Sequence, residues 1–138
     1  MRRTNIAALI LLLTLASCAS APQSPGAAFA TEILDTLYLG TGRPAPQPPV
    51  SDSEWRAFLA EVVTAHFPDG LTAWNAYGQW RQSGRAEIVS EDSHVLQLIH
   101  EDSPLADMAI DEIIAAYKSR FAQQSVLRVR TVVRVTWK

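Results

Sequence analysis

The chain has 138 residues, which is enough for one domain with a hydrophobic core. Its 14 Asp and Glu residues outnumber its 12 Lys and Arg residues, so the net charge is −2, and loss of the two arginines at positions 2 and 3 leaves −4. Nucleic-acid binding needs a basic surface, so this composition argues against a nucleic-acid partner. The single cysteine, Cys18, has no second thiol for an intramolecular disulfide.

The N-terminal residues have the pattern of a bacterial lipoprotein signal. Arg2 and Arg3 precede an apolar stretch over residues 6–15, and Leu15-Ala16-Ser17-Cys18 resembles a lipobox, in which the cysteine sulfur is acylated and the cysteine becomes the mature N-terminus. About ten apolar residues are too few to span a bilayer, which needs ~20. We therefore predict a signal peptide over residues 1–17 and a lipid such as palmitate on Cys18.

The residues that follow predict where the protein lies in the cell. We predict a lipidated disordered tether over residues 18–31, because residues 19–30 are rich in Ala, Pro and Ser. At about 3.1 Å per residue, residues 19–30 would reach up to roughly 35 Å from the membrane. Ala19 stands where an aspartate tends to retain lipoproteins in the inner membrane of enteric-type bacteria. The expected location is the cell envelope, on the periplasmic face of an outer membrane, with the lipid anchor as the membrane contact.

Residues 32–138 predict one folded domain, which begins with a strand over residues 33–41. Ser51 and Glu54 have the spacing of a capping box, and apolar residues at helical spacing follow until Pro68-Asp69-Gly70 ends the helix. Residues 71–81 are strand-like, and residues 82–84 form a turn. A short strand over residues 86–89 and a stronger one over residues 94–100 follow.

The C-terminal part predicts a second helix and a last strand. Asp102 or Ser103 can cap this helix, and Pro104 occupies its first position, where the missing N–H is harmless. Residues 126–137 then alternate between apolar side chains and the three arginines Arg128, Arg130 and Arg134. We expect the apolar row of this strand to face the core and the basic row to face away from it.

The element order β-α-β-β-α-β indicates a ferredoxin-like α+β fold. In that arrangement two helices cover one face of a four-stranded antiparallel sheet. The other face has no helix, although both parities of the strand over residues 95–99 are partly apolar. Such a face usually becomes a dimer interface, a ligand cleft, or both, and we favour a homodimer over a monomer.

Several segments together resemble a family of small bacterial secreted and lipid-anchored proteins, domain of unknown function 3574. The resemblance covers roughly residues 35–130 and implies a single envelope domain; the family has no established activity, so it supplies no catalytic residue. The basic end, residues 130–138, departs from the family's more neutral last strand. The segments are Thr36-Leu37-Tyr38-Leu39-Gly40, Arg43-Pro44, Phe67-Pro68-Asp69-Gly70-Leu71-Thr72, Tyr77-Gly78-Gln79-Trp80-Arg81, Tyr117-Lys118 with Phe121, and Ser125-Val126-Leu127-Arg128.

Residues suited to catalysis or metal binding are scattered. His66, His94 and His100 stand singly, without the clustered donors that zinc requires. The sequence has neither a nucleophile elbow nor a dinucleotide loop. Paired acids such as Glu91-Asp92 are expected to be solvated groups in turns or on helices. We therefore predict no catalytic residue, no metal and no cofactor.

Two polar rows are the candidate ligand-binding residues. Tyr77, Gln79 and Arg81 share one parity on one strand, and Arg128 and Arg130 share one on another. If both rows face away from the helices, they could line a cleft for a small anionic ligand, because guanidinium groups bind carboxylate or phosphate in bidentate fashion. Arg43 could join them. The alternative is that these arginines pair with the domain's own acids or lie at a dimer rim.

Two functional hypotheses follow from these patterns. The leading one is a non-catalytic envelope lipoprotein that binds a partner protein or a small anionic ligand on its open sheet face. The alternative is a cofactor-free enzyme, oxygenase-like or isomerase-like, of the dimeric ferredoxin-like type, which rests on fold analogy. A closed apolar pocket holding a group with a shifted pKa would favour the enzyme.

Overall fold

A computed structural model describes residues 29–81 and 83–136, so the predicted signal peptide, Cys18 and most of the tether lie outside the described residues. The described part confirms the ferredoxin-like α+β fold, with four antiparallel strands in the order β2-β3-β1-β4. The strands are β1 (Ala30–Gly40), β2 (Thr72–Arg81), β3 (Ile88–His100) and β4 (Leu127–Val135). Ala30 and Thr31 already pair with β4, so the tether ends about two residues earlier than expected.

The two strand segments predicted over residues 86–89 and 94–100 form one continuous strand. In β3 the backbone stays extended from Ile88 to His100 and pairs with β2 along ten residues of β2, from Thr72 to Arg81. Pairing supplies the backbone hydrogen bonds that the polar residues between the two segments would otherwise lack. Glu91 and Asp92, predicted to lie in a turn, are therefore strand residues.

The first helical layer begins at the predicted capping box. The Ser51 side chain accepts a hydrogen bond from the Glu54 N–H, and the Glu54 carboxylate accepts one from the Ser51 N–H at 2.9 Å. Helix α1 (Asp52–Phe58) continues through a π-helical segment (Leu59–Val63) into the short α2 (Thr64–His66). No helix among residues 29–81 and 83–136 is both long enough and apolar enough to cross a membrane.

The second helix, α3 (Pro104–Phe121), has Ser103 as its N-cap, which accepts a hydrogen bond from the Ala106 N–H at 3.2 Å. Ala122 follows at a φ of 54° and ends the helix in the left-handed conformation. The buried side chains between the helices and the sheet form one cluster. They are Leu37, Leu39, Val50, Trp55, Phe58, Val63, Leu96, Leu98, Ile110, Ile113, Tyr117 and Phe121.

The orientation predicted for the last strand is wrong. Leu37 of β1 lies opposite Arg128 of β4, and Asp35 lies opposite Arg130, so the arginines share the helix-covered face with the buried core of β1. The apolar row of β4, which includes Val129, lies on the face without helices. The reason is a buried acid: Asp35 is 0% exposed and offers the arginines a partner on the covered side.

Candidate functional site

The helix-covered face contains a buried carboxylate that is paired with an arginine and a histidine. Asp35 accepts two hydrogen bonds from Arg128, 2.8 Å from Nε to Oδ1 and 2.7 Å from Nη2 to Oδ2. His100 Nε2 lies 2.9 Å from the same Oδ2, while His100 Nδ1 lies 2.8 Å from the carbonyl oxygen of Glu101. Both ring nitrogens of His100 therefore lie within hydrogen-bonding distance of an oxygen acceptor.

The ion pairs continue outward from Arg128 to the protein surface. Asp107 accepts a hydrogen bond from Arg128 at 2.6 Å and also pairs with Arg130, which in turn pairs with Asp102. Asp111 lies 3.6 Å from Arg128. Hydrogen bonding to Arg128 holds the pKa of Asp107 below its ordinary value. The cluster alternates in charge, so its members stabilise one another and act as structural groups.

Acid is expected to destabilise the protein through its paired carboxylates. Burial opposes ionisation of Asp35, but hydrogen bonds from Arg128 and His100 outweigh it and hold its pKa below 3.8. The Ser51 backbone N–H and then Arg43 lower the pKa of Glu54 to about 2. Between the ordinary Glu value of 4.5 and that value, the unfolded chain binds more protons than the folded one.

The stabilisation that these carboxylates provide is therefore fully present above their ordinary pKa values. It is lost as the pH falls through their pKa values in the folded protein. Urea unfolding measured at steps from neutral pH to about pH 3 checks this pH dependence. Glu61→Gln is the control, because it removes an exposed acid that pairs with Arg120 on the surface and should leave the pH dependence nearly unchanged. A free energy of unfolding that does not fall below pH 4.5 contradicts the assignment.

The predicted ligand residues do not come together in one cleft. Tyr77, Gln79 and Arg81 lie on β2, at the opposite edge of the sheet from Arg128 and Arg130 on β4. Register with β3 places the β2 row on the helix-covered side as well, so neither row faces away from the helices. The Tyr77 hydroxyl donates to Ser90 Oγ at 2.7 Å. The condition for the predicted anion cleft is not met.

Arg43 is also engaged within the protein. Its Nη2 donates to Glu54 at 2.7 Å, and its guanidinium lies 5.2 Å from the centre of the Phe121 ring. Its side chain is only 10% exposed. Arg43, Arg128 and Arg130 are therefore all paired with acidic side chains, which is the alternative stated for the arginines.

His94 is buried on the same covered face, above the first helix. Its ring stacks on Trp55 with centroids 4.4 Å apart, and its Nδ1 lies 2.9 Å from Asn75 Oδ1. Burial lowers its pKa, although the charge of Asp52 opposes this, so the neutral ring is favoured. An amide oxygen can only accept, so Nδ1 carries the proton and Nε2 is left as an acceptor with no partner among the described residues.

The face without helices carries a cleft that the sequence did not indicate. Two glycines, on the strands that flank β3, leave it without side chains at its floor, and the carboxylate of Glu91 lies where a Cβ on Gly40 would be. Its volume is about 780 Å³, within the range of small-molecule sites. We call this the glycine cleft; its main lining residues are Tyr38, Gly40, Gly78, Trp80, Glu91 and Gln123.

The groups with shifted pKa values do not line this cleft, although the Tyr117 hydroxyl donates to the carbonyl oxygen of Gly40 at 3.0 Å. Asp35, His94 and Tyr117, whose pKa is raised by burial, belong to the helix-covered side. The cleft is open to solvent and lined by both polar and aromatic residues. Among residues 29–81 and 83–136 no group of three or more His, Cys, Asp and Glu side chains could hold a metal. The glycine cleft therefore lacks the group with a shifted pKa that would favour the enzyme hypothesis.

Comparison with known proteins shows the family. The model of a family described as protein of unknown function, DUF3574, matches residues 34–137, most of the chain. The chain belongs to the DUF3574 family. No curated protein matches it. Segments by which this DUF3574 chain resembles the family supply much of the glycine cleft, namely Tyr38, Gly40, Arg43, Pro44, Gly78, Gln79, Trp80, Ser125 and Leu127.

Two solved structures resemble the fold of this DUF3574 chain. A phage SAM lyase in complex with S-methyl-5′-thioadenosine superposes with a TM-score of 0.55 at 13% sequence identity, covering 86% of this chain and 97% of that one. A phage SAM lyase in the apo state gives 0.50 at 12% identity, covering 86% and 98%. At these identities the likeness shows a shared fold.

Proposed function

We propose that this protein is a lipid-anchored cell-envelope protein whose folded domain is a non-catalytic binding module that pairs with a second copy of itself through the helix-free face of its sheet. The observation that carries the proposal is the row of exposed apolar side chains on that face. Seven large ones are between 38% and 60% exposed: Tyr38, Trp74, Trp80, Val89, Ile99, Leu127 and Val129.

The extent of this face fits a stable interface. Four strands about 4.8 Å apart and roughly 30 Å long give about 600 Å² in projection, and the relief of the side chains adds to the accessible area. A standard interface buries about 800 Å² per partner. Isolated exposed apolar residues need no explanation, but a continuous face of this size in water does.

The distribution of charge on the face also supports self-association. Its middle is uncharged, and Gln97 donates to Thr36 within it at 3.2 Å. The charged residues of the four strands on this side are Glu32, toward one end, and Glu91, toward the other. Interface cores are depleted in charged residues, and a two-fold axis lets one such face cover another.

The envelope location is supported by the signal pattern around Cys18. A lipid on that residue and a tether of about a dozen residues would let the domain lie near the membrane while its sheet face remains free to pair. Two anchored copies on one membrane would meet at high effective concentration, which favours a modest interface.

Ile99→Glu tests the interface. Ile99 lies on the helix-free face and is 44% exposed, so a carboxylate there is expected to convert a dimer to a monomer without disturbing the core. Leu105→Glu is the matched control, because Leu105 is 76% exposed on helix α3, in the layer that covers the other face of the sheet. Light scattering and sedimentation at about 100 μM, a concentration suited to micromolar affinity, measure the mass.

The expected result is a dimer for the wild type and for Leu105→Glu, and a monomer for Ile99→Glu. A monomeric wild type, or equal dissociation by both variants, contradicts the proposal. A monomer that binds a different protein through this face, with binding lost in Ile99→Glu, would keep the binding role and overturn the homodimer.

A further inference from the structure

The carboxylate of Glu91 lies in the glycine cleft without a cationic partner. Within residues 29–81 and 83–136 it accepts one hydrogen bond, from the Gly42 N–H at 3.3 Å, and forms no ion pair. The cation lining the cleft is Arg43, and Glu54 already neutralises it at 2.7 Å. Glu91 therefore gives the cleft a net negative charge.

Glycines hold this carboxylate in place. A Cβ on Gly40 would overlap Oε1 of Glu91, so glycine at position 40 is what lets the carboxylate lie against the strand. A Cβ on Gly78 would meet no backbone or side chain closer than 3.5 Å. Gly78 thus leaves open space beside Glu91 that a larger residue could fill without a clash at its Cβ.

Two aromatic side chains line the same cleft as this carboxylate. Tyr38 of β1 and Trp80 of β2 line the cleft and are 43% and 52% exposed. An aromatic ring attracts an organic cation through its negative face, and trimethylated ammonium groups in particular bind between such rings. A carboxylate and exposed aromatic rings in one cleft therefore suit an alkylated ammonium and disfavour an anion.

We infer that the glycine cleft is a binding site for a small organic cation of the quaternary or alkylated ammonium class. Glu91 supplies the charge, and Tyr38 and Trp80 supply the aromatic faces. The amide nitrogen of Gln123 already donates to the carbonyl oxygens of Gly42 and Phe121, so Gln123 offers the ligand its Oε1. This ligand class is opposite in charge to the anion expected from the arginine rows.

Choline chloride is the probe, and 3,3-dimethylbutan-1-ol, which has carbon in place of the charged nitrogen, is its neutral match. NMR titration of the wild-type protein is expected to give saturable shifts with choline in the cleft residues and an affinity at least about tenfold weaker for the neutral alcohol. Absence of binding up to about 10 mM choline, well beyond a millimolar dissociation constant, overturns the inference, as does equal affinity for the two probes.

Two variants locate the site. Glu91→Gln removes the charge at nearly constant shape and is expected to weaken choline binding about tenfold or more, and Gly78→Val is expected to abolish it by filling the cleft. Glu87→Gln is the matched control, because it removes the same charge from an exposed residue outside the cleft. If Glu87→Gln and Glu91→Gln weaken choline binding equally, the effect comes from the net charge of the protein, and the proposed site is overturned.

Cation binding does not rest on self-association, although Tyr38, Trp80 and Leu127 belong to both surfaces. Ile99 lies toward the other end of the sheet, opposite Leu34, and is expected to leave the cleft intact when changed to Glu. Choline is therefore titrated into Ile99→Glu as well. A dimer would cover Tyr38 and Trp80, so the monomeric Ile99→Glu decides the matter. Choline binding by this monomer supports the cleft, and a monomer that binds no choline overturns it whatever the wild type does.

Discussion

Replacing Asp35 with asparagine is expected to lower the free energy of unfolding by about 3–5 kcal/mol, the usual cost of removing one member of a buried ion pair. Asp35 is 0% exposed and accepts from both Arg128 and His100. Asparagine keeps the shape but loses the charge, and its NH₂ group would face donors where the carboxylate now presents an acceptor. Arg128 would then lose its main counter-charge at the covered face.

The control for this experiment is Asp111→Asn. Asp111 also lies near Arg128, at 3.6 Å, but its side chain is 75% exposed, so the change is expected to cost less than about 1 kcal/mol. Urea unfolding at neutral pH, analysed with a common slope, measures both variants. If the two losses of stability are similar, the buried cluster is not the structural element that its geometry indicates.

The secondary structure and topology could be predicted because their signals are local. The capping box at Ser51 and Glu54 and the proline at position 104 each fix a helix start within a few residues. Alternation and chain order then leave the ferredoxin-like arrangement as the natural way to cover one face of a four-stranded sheet. The strand order follows from it, as observed.

The predicted orientation of β4 is wrong because alternation defines two rows of side chains without saying which row faces the core. Because arginines are rarely buried, the pattern predicts that the apolar row faces the core. Asp35 carried the missing signal, since it shares the parity of Leu37 and Leu39, which are fully buried. An acid in a buried apolar row requires a cation nearby, and Arg128 on the neighbouring strand supplies it.

The glycine cleft could not be predicted, because it depends on strand register. Gly40, Gly78 and Glu91 come from three strands, and only the pairing of Gly78 with Glu91 and of Gly40 with Ser93 brings them together. From the sequence, Glu91 is predicted to be a solvated turn residue because its neighbours are polar. Glycines inside strand-like segments were the available signal, since they often mark a close approach of another group.

Replacing Cys18 with serine is the second change with a large expected effect, because it acts on the location of the whole protein. We expect the variant to leave the membrane fraction or to retain its signal peptide, since a hydroxyl cannot take the thioether-linked lipid of the lipobox chemistry. Acyl chains contribute about 0.8 kcal/mol per buried CH₂, so their loss removes the anchor. About ten apolar residues in the signal do not replace it, because a span needs ~20.

Membrane fractionation, metabolic labelling with palmitate and the intact mass of the purified protein measure this effect in a bacterium that processes lipoproteins. Ser24→Ala, within the predicted tether, is the matched control and is expected to behave as the wild type. Palmitate label, processing and membrane association that all survive in Cys18→Ser would exclude Cys18 as the anchor. In that case the effective concentration that favours pairing of the sheet faces on one membrane would have no basis, and the interface would have to form from free solution.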